Sequence, residues 1–68
     1  MISYKKLWKL LIDKDLRKKD LIKLAGIAPA TVAKMSKGEN VTTETLYKIC
    51  KALNCNIEDV IEVLYCDN

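Results

Sequence analysis

The chain has 68 residues, room for one domain with a small core, so short loops and well-capped helices must supply much of its stability. Half of the residues are apolar and 31% are charged, which excludes a disordered chain, while two glycines and one proline favour helices joined by short turns. Histidine is absent and the three cysteines (Cys50, Cys55, Cys66) form no CxxC pair, so neither a zinc site nor a Cys–His catalytic pair is available and no cofactor or metal is expected.

A first helix is expected over about residues 4–14, with Ser3 as its N-cap. Its Tyr4, Leu7 and Leu11 follow the i, i+3, i+7 rule, and Trp8, Leu10 and Ile12 widen the stripe beyond one core face. A second helix is expected over about residues 18–25, burying Leu21, Leu24 and Ala25 and stopping at Gly26, which suits a left-handed residue. Pro29 fits the first position of a third helix, which should end near Lys37 with Gly38 as terminator. Thr42 reads as the N-cap of a fourth helix, with Glu44 in its first turn, Leu46, Ile49, Cys50 and Leu53 on its inner face, and Asn54 ending it. Asn56 as N-cap and Asp59 three residues on open a fifth helix with the face Ile57, Val60, Ile61 and Leu64. No segment alternates long enough to compete as a strand. The expected fold is all-α: a compact five-helix domain over residues 1–68, with a helix-turn-helix unit at about residues 18–37 between short tails.

Charge is distributed unevenly. Residues 5–37 carry ten lysines and arginines against three aspartates, whereas residues 39–68 carry two lysines against six acidic residues. Lys5, Lys6 and Lys9 read equally well as a solvated face, but a chain split into basic and acidic halves makes one end attractive to phosphate.

The third helix can be oriented from its own pattern. Val32 and Met35 point inward, which leaves Ala30, Ala33, Lys34 and Lys37 outward. That face is either ordinary exposed surface or one whose alanines let the backbone approach DNA while Lys34 reaches a guanine edge or a phosphate. Thr31 stands at its rim, where its methyl suits a thymine and its hydroxyl a phosphate.

Gly26-Ile-Ala-Pro-Ala-Thr-Val-Ala-Lys-Met35, then Lys37-Gly38, then Leu46 with Ile49-Cys-Lys-Ala-Leu53, resembles the phage-repressor and Cro-like (Xre) helix-turn-helix family over about residues 5–64. It looks most like the small members that carry little beyond this domain. The resemblance implies a five-helix lambda-repressor-like DNA-binding fold, transcription regulation, most often repression, and homodimers on palindromic operators. Carried onto this chain, it implies base reading by Pro29, Ala30, Ala33 and Lys34, with Thr31 toward the backbone. It also implies a phosphate anchor at Lys18, flanked by Arg17 and Lys19, and further backbone contacts from Lys37, Asn40, Thr42 and Thr43. Several positions depart from the family pattern. Ile22 stands where a small residue is usual, Ala28 replaces the Ser or Thr cap of the third helix, and Glu44 stands where some relatives are basic. Leu11 and Ser36 occupy the places of an Arg–Glu pair.

A single module offers few contacts, so a homodimer is expected, with surplus apolar surface at Trp8, Ile12, Val63 and Tyr65 and at Met1-Ile2. Alternatively, the tails fold back and bury Trp8 within one chain. A protein-interaction module, such as the antitoxin partner of a toxin, is the rival function. A catalyst is not expected, because Gly26 and Gly38 close helices rather than form a phosphate loop and no acidic pair marks a cleft. No small-molecule ligand is expected either. The stretch Leu7 to Ile12 is broken by Lys9 and followed by Asp13, so neither a signal peptide nor a membrane span is expected. An odd cysteine count suits reduced thiols in a cytoplasmic protein, with Cys50 as core filler and Cys66 in the tail, open to artefactual cross-linking.

Overall fold

The computed structural model describes residues 1–65. Four helices, α1 (Lys5–Asp13), α2 (Lys18–Ala25), α3 (Pro29–Ser36) and α4 (Thr43–Leu53), are followed by a 3-10 turn at Ile57–Asp59. The two ends of the described chain form an antiparallel sheet of β1 (Ile2–Ser3) and β2 (Glu62–Val63), with Ile2 opposite Val63 and Ser3 opposite Glu62.

One terminating device recurs after every helix. Asp15 (φ 58), Gly26 (φ 67), Gly38 (φ 76) and Asn54 (φ 52) are left-handed. In each case the next residue's N–H reaches back five positions: Leu16 to the Leu11 carbonyl (2.8 Å), Ile27 to Ile22 (3.3 Å), Glu39 to Lys34 (2.9 Å) and Cys55 to Cys50 (3.0 Å). Leu16, Ile27 and Cys55 then pack against the core, so each turn both satisfies a carbonyl and buries an apolar side chain. Gly26, Gly38 and Asn54 are legible as terminators in the sequence. Asp15 is not, because aspartate tolerates this conformation without advertising it.

The helix starts are less uniform. The Thr45 N–H donates to Thr42 Oγ1 at 3.2 Å, the expected cap of α4. Asp20 Oδ2 accepts the Arg17 N–H at 2.9 Å at the start of α2, and Asp59 Oδ2 accepts the Asn56 N–H at 3.0 Å. Ser3 lies in β1, one residue before the capping position of α1, and its Oγ takes only the Lys5 N–H at 3.3 Å. Ala28 leaves α3 without a side-chain cap.

Tyr4, Leu7, Leu11, Leu21, Met35, Leu46, Ile49, Leu53 and Val60 form one contiguous core. Leu7, Leu21, Met35, Ile49 and Val60 are fully enclosed, each worth roughly 1.5–3 kcal/mol relative to exposure. Leu24 corrects the expected face of α2: it is 55% exposed. Leu21 takes the inward position against α4, while Leu24 lies at the edge of that contact beside Tyr47.

The fifth helix is also corrected. Only a single 3-10 turn forms, and the chain then extends into β2. Val60 is buried as expected, but Ile57 and Leu64 are largely exposed. Val63, within β2, is β-branched and gains more from an extended backbone. The Leu64 N–H donates to the Met1 carbonyl at 2.8 Å, a bond that a helix would have closed locally. The architecture is therefore four helices, a 3-10 turn and a small sheet rather than all-α with five helices.

Candidate nucleic-acid interface

Helix α3 is held from one side only. Val32 and Met35 are buried, whereas Pro29, Ala30, Ala33, Lys34 and Lys37 are exposed and Thr31 is half-buried between them. Thr31 and Lys34 join Asn40, Val41, Thr42 and Thr45 around a shallow groove of about 230 Å³. Four of the expected contact residues, Thr31, Lys34, Asn40 and Thr42, thus converge from α3, the following loop and the cap of α4. Thr43 is exposed one residue beyond the Thr42 cap but outside the groove lining, as are Pro29, Ala30, Ala33 and Lys37. Val41 and Thr45 were not anticipated. Thr45 is there because its N–H and hydroxyl both meet the Thr42 hydroxyl, which fixes the groove wall.

The loop carrying Asn40 is anchored from the far end of the chain. The Tyr4 hydroxyl donates to the Glu39 carbonyl at 2.7 Å. Burial pushes the Tyr4 phenol above its ordinary value of 10.0, with a Val41 backbone hydrogen bond partly offsetting the shift. In the sequence Tyr4 reads only as part of an apolar stripe. The available signal was its hydroxyl, since a tyrosine in a core needs a hydrogen-bond partner.

Arg17 and Lys18 lie away from that groove, beside an apolar depression formed with Trp8, Leu11, Ile12 and Leu16. Lys19 is exposed next to them. The Lys18 ammonium donates to Ser36 Oγ at 2.9 Å and sits 4.4 Å from the centre of the Trp8 ring. It therefore ties the start of α2 to both α1 and α3, and two of its three N–H donors remain for a further acceptor. This contact engages Ser36, while Leu11 packs in the core, so neither substituted position strands a charge. Glu44 stands 3.9 Å from Lys48, an exposed pair of little energetic weight.

Lys6 and Lys9 face the acidic 3-10 turn rather than the groove. They share a depression with Asp13, Glu58 and Asp59, and the Lys6 ammonium donates to the Glu58 carbonyl at 3.4 Å. Opposite charges meet there, so this part of the basic half is a solvated, locally balanced face.

The four surplus apolar residues separate into two patches. Trp8 is half-buried beneath Lys18, and Ile12, 75% exposed, lies beside it at the end of α1. Val63 and Tyr65 belong to the strand end, 50% and 86% exposed, next to Met1. The tails pair with each other. Cys66 lies outside the described residues, whereas Cys50 is half-buried against the core. Among the described residues no group of three or more His, Cys, Asp or Glu could hold a metal, and no helix is long and apolar enough to cross a membrane.

No curated protein matches the sequence. Among solved structures, the crystal structure of the transcriptional regulator VanUg is similar to this chain at 49% identity and a TM-score of 0.89, covering 93% of this chain and 84% of that one. The model of the Cro/C1-type helix-turn-helix DNA-binding domain matches residues 6–64, from the first turn of α1 to one residue past β2. With an exposed, lysine-bearing α3 following α2 across the Gly26 turn, the chain belongs to the Cro/C1-type helix-turn-helix family.

Proposed function

We propose that the protein is a sequence-specific regulator of transcription, acting as a repressor, that lays α3 in the major groove of double-stranded DNA. The observation that carries this reading is the one-sided burial of α3: Val32 and Met35 hold it while Pro29, Ala30, Ala33 and Lys34 stay outward beside the polar groove of Thr31, Asn40 and Thr42. Small residues at the first turn let the helix approach base edges, and Lys34 supplies the donor. Thr31, Lys37, Asn40, Thr42 and Thr43 contact one strand's phosphates, and Arg17, Lys18 and Lys19 those of the other. Base contacts are few, so thymine methyls and DNA shape carry much of the preference.

The protein acts as a homodimer on two half-sites about 34 Å apart. Val63 and Tyr65, exposed at the strand end with Met1, are the better placed of the surplus apolar residues, because Trp8 is already engaged by Lys18 and leaves only Ile12 free in its patch. Selection of bound duplexes from random DNA at two salt concentrations tests the function. A two-fold symmetric motif, bound more weakly at high salt, is the expected result. A protein that enriches no motif and shows no salt-dependent complex does not have this function.

A further inference from the structure

One pair of nucleophiles lies outside the groove and the strand end. Cys50 and Cys55 are free thiols, both half-buried. The turn that ends α4 brings them together: the Cys55 N–H donates to the Cys50 carbonyl at 3.0 Å, and the Asn54 N–H donates to the Lys51 carbonyl at 3.4 Å. In this motif the residue after the left-handed position folds back onto the last turn of the helix, and the two side chains meet. Both cysteines pack against the core at that joint.

We propose that Cys50 and Cys55 form a dithiol modification site, closed reversibly to an intramolecular disulfide by a low-molecular-weight disulfide such as oxidised glutathione. The doubled hydrogen bond holds the two backbones at the close approach such a bond requires. Burial first, and then the neighbouring Cys50, raise the Cys55 thiol above its ordinary value, so Cys55 carries little thiolate near neutral pH. Cys50 therefore attacks first. Its thiolate forms a bond to one sulfur of the oxidised glutathione, whose own S–S bond breaks and releases one glutathione thiolate. Cys55 then loses its proton and attacks the Cys50 sulfur, which expels the second glutathione. Two electrons and two protons pass from the pair to the glutathione disulfide, and one S–S bond replaces another. The bond staples the last turn of α4 to the segment that carries Val60 and β2. Thr45, the groove residue nearest Cys50 along α4, lies five residues before it, about 7.5 Å along the helix axis, so the groove beside Lys34 lies outside the joint that closes.

The full chain carrying Cys66→Ser, which removes the competing third thiol, is equilibrated in its folded state with reduced and oxidised glutathione, alkylated, cut with trypsin and weighed. Cleavage after Lys51 separates Cys50 from Cys55, so a disulfide joins two peptides. The expected product has lost two hydrogens, carries no glutathione, shows that single cross-link and is restored by dithiothreitol. Adding Cys55→Ser should trap glutathione on Cys50, and adding Cys50→Ser should trap it more slowly on Cys55, whose thiol burial still raises. Glutathione retained separately on both thiols of the Cys66→Ser chain, or a cross-link that forms only in denaturant, overturns the proposal.

Discussion

Lys18 offers the sharpest test of the DNA interface, because its ammonium already has two internal partners. Replacing it with alanine removes the contact with Trp8, worth about 0.5–1 kcal/mol at an exposed site. It also removes the hydrogen bond to Ser36, worth about 0.5 kcal/mol when solvated. The fold should therefore survive with a loss of about 1 kcal/mol, read by thermal unfolding. DNA binding should change in a different way. Each phosphate contact adds about 0.9 to the slope of log affinity against log salt, so between 50 and 200 mM salt the two Lys18 side chains of the proposed dimer are together worth about 12-fold in affinity. The wild-type complex should lose about that much more than the Lys18→Ala complex over the same range, for every sequence alike. Lys18→Arg should keep the wild-type slope, and Ser36→Ala should leave it unchanged. Trp8, the single tryptophan, reports the event directly, since its emission should shift on DNA addition as the ammonium turns toward a phosphate. An unchanged salt slope in Lys18→Ala, with Trp8 emission indifferent to DNA, would show that Lys18 is a structural clamp and no phosphate anchor.

Lys34→Ala should weaken the selected site by about 1–3 kcal/mol and relax preference at one base pair, measured by competition between sequence variants. Tyr4→Phe should cost about 1 kcal/mol and speed amide exchange in the loop around Asn40, because the Glu39 carbonyl loses its donor. The raised Tyr4 phenol binds its proton more tightly folded than unfolded, so its stabilisation is complete below pH 10 and falls as pH rises further. Stability curves above that pH should therefore drop less for Tyr4→Phe than for the wild type. Ala28→Ser should supply the missing cap of α3 and raise stability by about 0.5–1 kcal/mol, seen as a higher unfolding temperature. Val63→Asp should yield a monomer with much weaker operator binding; a mass at monomer weight for the unmodified chain, at all concentrations, would remove the dimer.

Local chemistry made most of the helical frame readable. Gly26, Pro29, Gly38, Thr42 and Asn54 act through their own backbone preferences, so α2, α3 and α4 begin and end within a residue or two of where those residues put them. The periodicity of Val32 and Met35 likewise determined which side of α3 faces outward. Non-local contacts decided the rest. Residues 60–64 have helical spacing, yet the chain extends after Val60 because residues at the opposite end of the chain offer it hydrogen bonds, and no window of sequence contains that partner. The Tyr4–Glu39 bond and the placement of Lys18 between Trp8 and Ser36 also arise only once separate elements pack. Periodicity states which face of an element is apolar; packing chooses which neighbour meets it, and that choice joined Thr31, Lys34, Asn40 and Thr42 into one groove.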